Sequence, residues 1–123
     1  MMNPFMNDPF AMVYDAFKRL YPDRDCECYF DVIEENERGE KVFGETLYFD
    51  DGRITIGVDV RLCLADAVEI FAHELAHVAA GSEAEHNEEW EKAFDAIHQK
   101  YNEIGNELFD KHTPVTVVNG KVL

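Results

Sequence analysis

The stretch that decides the fold reads DAVEIFAHELAHVAAG and covers residues 66–81. Its apolar residues fall on most sides of a helix instead of on one stripe, which is typical of a helix buried at the centre of a domain. We expect this helix to begin between Val60 and Asp66 and to run to about Ala80. Gly81 follows, at a position where glycine commonly ends a helix. The remaining elements should therefore pack around this one.

Within this helix, residues 73–77 read HELAH. Helix positions four apart lie on the same face, so His73 and His77 can present two imidazole nitrogens to one ion. Glu74 then lies beside the ion, where it can take a proton from a bound water and later deliver it to a leaving amine. Zinc suits this arrangement because it binds imidazole and keeps an open position for water. The motif therefore predicts a zinc site with Glu74 as the general base.

A third ligand is expected close behind the motif, because a catalytic zinc ion usually has three protein ligands. Residues 82–87 read SEAEHN and lead into the last helix. His86 is the candidate, since a histidine just before a helix start is held firmly and can face back across the turn. The alternative ligands are nearby carboxylates: Glu83, Glu85, Glu88 and Glu89. Among these, Glu85 and Glu89 are the hardest to exclude.

Other polar residues have open roles. Glu69 lies one turn before His73 and either orients its ring as a hydrogen-bond acceptor or is an ordinary solvated residue. His98 and His112 are far from the motif in sequence, and we expect both at the surface. An oxyanion formed during hydrolysis would need a further donor, and the unranked candidates are Tyr48, Tyr101 and His98.

The chain before the central helix predicts a helix and a small sheet. Asp8 and Pro9 suit the N-cap and the first position of an N-terminal helix, which Pro22 ends. Alternation of apolar and polar residues then predicts three strands, at residues 26–32, 42–49 and 54–58. An Asp-Gly turn signal at 50–52 joins the last two. We expect the strands to form an antiparallel meander.

A long C-terminal helix is expected to begin after Asn87, a good N-cap, and the glutamates that follow suit the positive end of its dipole. Apolar residues then recur at four-three spacing: Trp90, Phe94, Ile97, Tyr101, Ile104 and Leu108. The favoured interpretation is that this stripe packs on the domain core. The alternative is that its far end pairs with a second copy of the chain or with a partner protein.

The composition excludes several classes of function. A chain of 123 residues forms one domain with its own core, so we expect a single domain over residues 1–123. The formal net charge of −15 repels polyanions, and Lys and Arg form no run, which argues against direct nucleic-acid binding. No stretch approaches the roughly 18 apolar residues of a membrane span, and the N-terminus lacks the basic start of a secretory signal. We therefore expect a cytoplasmic protein without membrane contact.

The three cysteines, Cys26, Cys28 and Cys63, are too few and odd in number for a disulfide framework. Cys26 and Cys28 are two apart in a predicted strand, so their side chains should lie on the same face. The favoured interpretation is that the cysteines are small core residues in a reducing compartment. The alternative is that the pair forms half of a second metal site, with Cys63 as a possible third ligand.

The combination of HELAH at 73–77, a glycine shortly after, His86, and Trp90 four residues later resembles the SprT-like and WLM group of compact zinc peptidases. The resemblance covers roughly residues 53–94, and extends to minimal metallopeptidase domains of phages and mobile elements. It implies an α+β, zincin-like fold, with His73, His77 and His86 as zinc ligands and Glu74 as general base.

The same resemblance implies that the strand near 54–58 lies along the cleft and pairs with an extended peptide or protein substrate. The expected function is therefore zinc-dependent peptide hydrolysis. DNA-associated proteolysis would require a basic companion protein or a basic surface patch that the sequence does not reveal. The alternative from a different class is a zinc-containing, non-catalytic binding module that acts through its last helix or its sheet edge. Glu74 favours catalysis, because a purely structural zinc site has no need of a carboxylate there.

Overall fold

Three helices and a three-stranded sheet make up most of the computed structural model, which describes residues 3–35, 38–112, 117–118 and 121–122. In chain order the elements are α1 (Pro9–Leu20), β1 (Glu27–Asp31), β2 (Gly44–Tyr48), β3 (Ile54–Asp59), α2 (Leu64–Ala80) and α3 (Glu88–His112). A short antiparallel pair follows, β4 (Val117–Val118) and β5 (Lys121–Val122). The predicted α+β class is confirmed.

The predicted central helix is α2. It packs against β2 and β3, while α1 and α3 pack on α2 and on each other. Its buried residues lie on most of its sides: Ala67, Phe71, Ala72, Glu74, Leu75, Ala76, Val78 and Ala79. Gly81 ends the helix as predicted, with a φ of 100° and its N–H donating to the His77 carbonyl at 2.9 Å. Within the described ranges, no helix combines the length and apolar character needed to cross a membrane.

Both helix-start predictions are confirmed by side-chain caps. Oδ1 of Asp8 accepts a hydrogen bond from the N–H of Phe10 at 2.9 Å, and Pro9 is the first residue of α1. Oδ1 of Asn87 accepts from the N–H of Trp90 at 3.1 Å. Each cap satisfies a backbone donor that has no partner inside its helix.

The apolar stripe of α3 packs on the core, which confirms the favoured interpretation. Its buried members, together with Ala93, are Ile97 and Ile104. Its partly buried members pack against the same core: Trp90, Phe94, Tyr101 and Leu108. Phe109, one residue beyond the stripe, is 68% exposed. Pairing of this end with another chain stays a prediction.

The prediction of an antiparallel meander is wrong for the direction and the position of β1. β2 and β3 pair antiparallel around a turn at residues 49–53, as predicted. β1, however, pairs parallel to β3, and the strand order is β1-β3-β2. The chain between β1 and β3, residues 32–53, is long enough for a parallel crossover because it includes β2. Alternation predicts which face each side chain occupies, but it does not predict strand direction.

The strand order also corrects an expectation about substrate binding. β3 has β1 on one side and β2 on the other, so both of its edges are paired. The strand near 54–58 therefore has no free backbone groups for an extended substrate. β2 is the edge strand that packs against α2.

An ion pair between the buried Asp59 and the half-exposed Arg61 connects the carboxyl ends of β1 and β3. Asp59 is 2% exposed, and its two carboxylate oxygens accept hydrogen bonds from the Arg61 guanidinium at 3.0 and 2.7 Å. Arg61 also donates to the carbonyl of Ile33 at 3.0 Å. The side-chain hydrogen bonds from Arg61, with backbone bonds from Arg61 and Ile33, keep the pKa of Asp59 well below its usual range. The segment after β1 is thereby tied to the end of β3.

Asp59→Asn keeps the side-chain shape but removes the charge, so we expect a lower free energy of unfolding at neutral pH. Because the folded pKa lies below the unfolded value of about 3.9, ionised Asp59 stabilises the fold above that pH, and the contribution is lost as the pH falls. Urea unfolding should therefore show a wild-type advantage that is largest near neutral pH and shrinks below about pH 4. A difference that does not vary with pH would contradict the ion-pair explanation.

Candidate metal centre

The three predicted histidine ligands meet at one point. His73 and His77 lie on successive turns of α2, and His86 lies in the loop before α3. Nε2 of His86 is 3.0 Å from Nε2 of His73 and 3.0 Å from Nε2 of His77. Two nitrogens bound to one tetrahedral zinc ion at about 2.0–2.1 Å lie about 3.3 Å apart. The three atoms are therefore spaced as ligands of one metal ion require.

Membership of this cluster distinguishes His86 from the four carboxylates that were alternative candidates for the third ligand. Among the described residues, the three histidines form a group whose ligand atoms all lie within 4.8 Å of one another. None of the four rival carboxylates belongs to that group: Glu83, Glu85, Glu88 and Glu89. The geometry thus favours a three-histidine ligand set over a mixed histidine–carboxylate set.

The loop between α2 and α3 directs His86 back toward α2. After Gly81, the N–H of Ala84 donates to the Gly81 carbonyl at 3.1 Å, and the N–H of His86 donates to the Ala84 carbonyl at 3.1 Å. Ala84 is buried and anchors the loop. His86 has a φ of 55°, in the left-handed region, which costs a non-glycine residue roughly 1–2 kcal/mol. Such local strain is concentrated at functional sites.

The environment keeps two of the rings neutral. Burial, followed by the proximity of His77 and His86, lowers the pKa of His73 to about 4. Burial and His86 also lower the pKa of His77, while a backbone hydrogen bond to Ala84 and the charge of Glu85 act in the opposite direction. A neutral imidazole has the free nitrogen lone pair that metal binding requires.

Glu74 lies beside the histidines but faces β2. The residue is 7% exposed, and Oε1 accepts a hydrogen bond from Oγ1 of Thr46 at 2.8 Å. Oε2 lies 3.8 Å from Nε2 of His73. Burial, with a smaller contribution from Glu45, raises the pKa of Glu74 to about 7, and the Thr46 hydrogen bond opposes the shift. A cation bound at the histidines would lower this pKa again.

β2 reaches α2 through three residues on one face of the strand. A Cβ on Gly44 would lie 2.4 Å from Cγ2 of Ile70 and 3.2 Å from Cγ of Glu74. Thr46 follows with its bond to Glu74, and the hydroxyl of Tyr48 donates to the His77 carbonyl at 3.2 Å. Neither Gly44 nor Thr46 was among the site residues predicted from the sequence. The sequence did contain one signal for this contact: Gly44 lies in a predicted strand, on the same face as Thr46, and glycine within a strand often marks the close approach of another element.

Trp90 closes the side of the cluster that faces α3. Its ring centroid lies 4.8 Å from those of His73 and His86 and 5.7 Å from that of His77. Its indole N–H donates to the His73 carbonyl at 3.2 Å, and Phe94 stacks on it at 5.1 Å. These contacts restrict how far the imidazole rings can rotate.

The remaining candidates lie in different places. Oε2 of Glu69 is 3.3 Å from Nε2 of His98, so this carboxylate faces α3 instead of the His73 ring. His98 is half-exposed and packs against Phe94. Tyr101 lines a pocket near the start of α1, which leaves Tyr48 as the candidate oxyanion donor beside the histidines. The side chain of His112 lies outside the described residues.

The cysteines do not form the alternative metal site. Sγ of Cys26 and Sγ of Cys28 are 3.8 Å apart, but Cys63 does not join them in any group of three or more metal-ligating residues within the described chain. The core interpretation is also wrong for Cys28 and Cys63, which are exposed. Cys26 is half-buried and packs against the core.

The sequence matches no protein-family model, no curated protein and no solved structure. A functional assignment therefore depends on the chemistry and geometry of this site.

Gly44→Ala should destabilise the chain, because the new methyl group would overlap Cγ2 of Ile70 and crowd Glu74. We expect a loss of about 1–3 kcal/mol of unfolding free energy, typical of overpacking, measured by urea denaturation. Gly57→Ala in β3 is the matched control, since its Cβ would meet nothing closer than 3.4 Å. Equal destabilisation by the two substitutions would show that the β2–α2 contact does not explain the result.

Proposed function

We propose that this chain is a zinc-dependent peptidase, with His73, His77 and His86 as zinc ligands and Glu74 as the general base. The observation that supports this most strongly is the placement of Glu74. Its carboxylate lies 3.8 Å from Nε2 of His73 yet is not a member of the histidine cluster. A carboxylate beside a three-histidine group, with its own hydrogen-bond partner, suits proton transfer better than metal binding.

When bound by the three rings, a zinc ion supplies a Lewis acid that activates water and polarises a peptide carbonyl. Glu74 takes the proton from the attacking water and passes it to the leaving amine. Thr46 fixes one carboxylate oxygen of Glu74, so the other oxygen is directed toward the histidines. Tyr48 can stabilise the oxyanion if its hydroxyl turns away from the His77 carbonyl.

The substrate in this proposal is an extended peptide segment that pairs with β2. This strand pairs with β3 on one side, while its other edge has no partner among the strands of the described chain. Backbone addition at this edge places a peptide alongside α2, near Glu74 and His77. The resemblance of the HELAH motif, His86 and Trp90 to the SprT-like and WLM group adds to the proposal.

A binding module with a non-catalytic zinc site is the second candidate. The exposed aromatic residues Tyr29 and Phe30 on edge strand β1 favour it, because each face of this strand then has an exposed aromatic side chain, a residue type that is enriched at protein interfaces. The buried carboxyl of Glu74 favours catalysis instead. Burying this group is costly, and a structural zinc site does not require it.

Metal content tests the ligand set directly. We expect about one zinc per chain in the purified wild type, by elemental analysis, because three imidazole ligands and one open position satisfy a zinc ion. His77→Ala and His86→Ala should each lose most of the zinc. His98→Ala is the matched control, since it removes a histidine outside the cluster and should keep the metal. Absence of zinc from the wild type, with none taken up on addition, would overturn both zinc-based functions.

Glu74→Gln separates the two candidate functions. The substitution should keep zinc and fold but lower hydrolysis of a fluorescently labelled, unfolded protein by roughly 10²–10⁴-fold, the usual contribution of a general base. Undiminished hydrolysis by Glu74→Gln would exclude Glu74 as the base. A zinc-loaded wild type that cleaves no unfolded substrate would favour the binding module.

A further inference from the structure

Two thiols lie together at the opposite edge of the sheet from the histidines. Cys26 precedes β1 and Cys28 is the second residue of that strand. Their Sγ atoms are 3.8 Å apart and share a hydrogen bond. Because β3 separates β1 from β2, this pair is independent of the proposed peptidase site.

The two thiols are not equivalent. Cys28 is exposed, while Cys26 is half-buried. Their hydrogen bond lowers the pKa of the Cys28 thiol and raises that of the Cys26 thiol. An accessible thiolate beside a second thiol is the arrangement found in reactive cysteine pairs, where one sulfur attacks and the other resolves the product.

The surroundings leave room for a reactant. A cavity of about 390 Å³ opens beside both sulfurs, and its walls are mainly apolar: Phe10, Tyr14, Phe30, Val58 and Phe71. The backbone at Cys26 lies outside the ladder between β1 and β3, which begins at Glu27. Cys26 therefore lies just before the start of the paired segment, with its Sγ already 3.8 Å from that of Cys28.

We propose that Cys26 and Cys28 form a thiol–disulfide exchange site for small, uncharged disulfides. The Cys28 thiolate attacks one sulfur of the disulfide, forms a mixed disulfide and releases the first small thiolate. The Cys26 sulfur then loses its proton and attacks Sγ of Cys28, which releases the second small thiolate. Two protein thiols are oxidised to one protein disulfide, the small disulfide is reduced to two thiols, and the two protein protons go to those thiols.

The charge and the cavity favour a small, uncharged disulfide as the reactant, and the short spacing of the cysteines favours reversible formation of the protein disulfide. The net charge of −15 repels anionic disulfides, and the cavity walls are apolar. A disulfide between residues two apart closes a tight ring, and strained disulfides are readily reduced. We therefore expect the protein disulfide to be reopened by an ordinary monothiol.

The test uses zinc-supplemented chain carrying Cys63→Ser, so that only the pair reacts. Incubation with hydroxyethyl disulfide, acid quenching and mass spectrometry without reductant should show loss of two hydrogen atoms and no added group. Adding Cys26→Ser should leave a mixed disulfide on Cys28. Adding Cys28→Ser instead should slow the reaction by about tenfold or more, because the favoured thiolate is lost. Circular dichroism checks that each variant is folded.

Three results would overturn the proposal: a mixed disulfide that persists when both cysteines are present, a disulfide-linked dimer, or equal rates for the two single-thiol variants. His77→Ala, in the same Cys63→Ser background, should exchange as fast as its parent. A loss of exchange in that variant would show that the thiols depend on the histidine site. Failure of the peptidase proposal alone would leave exchange unchanged.

Discussion

β2 crosses α2 so closely at Gly44 that a methyl group there would lie 2.4 Å from Cγ2 of Ile70. This approach removes Glu74 from water and brings Thr46 within 2.8 Å of its carboxylate. With a larger residue at position 44, the strand or the side chains of Ile70 and Glu74 would have to shift. The lack of a side chain at Gly44 therefore allows the close β2–α2 packing that buries Glu74.

Two carboxyl groups in the described chain are buried, and their environments shift the two pKa values in opposite directions. Asp59 is surrounded by donors from Arg61 and the backbone of Ile33, so hydrogen bonds outweigh desolvation and its pKa falls. Glu74 has one hydroxyl partner, Thr46, so desolvation dominates and its pKa rises. The first environment stabilises a charge and fixes the structure. The second raises the pKa of the Glu74 carboxyl to about 7, which suits the proton transfer that we propose for this residue.

The strand order gives the small domain two chemically distinct edges. β2 lies against α2, which has two of the three histidines, whereas the thiol pair and the exposed Tyr29 and Phe30 lie at or just before β1. Because β3 lies between them, the two edge strands do not pair with each other. An antiparallel meander in chain order would instead have placed β2 in the centre. The strand beside Glu74 would then have no free edge.

The sequence by itself determined the features that depend on near neighbours in the chain. The extent of α2, the shared face of His73 and His77, and the caps at Asp8 and Asn87 follow from helix periodicity and local hydrogen bonding, and all agree with the structure. The hairpin between β2 and β3 follows from its turn residues in the same way.

Only the tertiary structure decided which distant residues meet. The alternation of apolar and polar residues in β1 was compatible with parallel or antiparallel pairing. In the structure β1 pairs parallel to β3. The sequence left His86 in competition with four carboxylates, and in the structure His86, whose backbone is left-handed, is the one that lies with His73 and His77 in the group of possible metal-ligating residues. The contact of Thr46 with Glu74 joins residues from a strand and a helix. Such contacts depend on how elements pack, and local propensities do not encode packing across long separations in the chain.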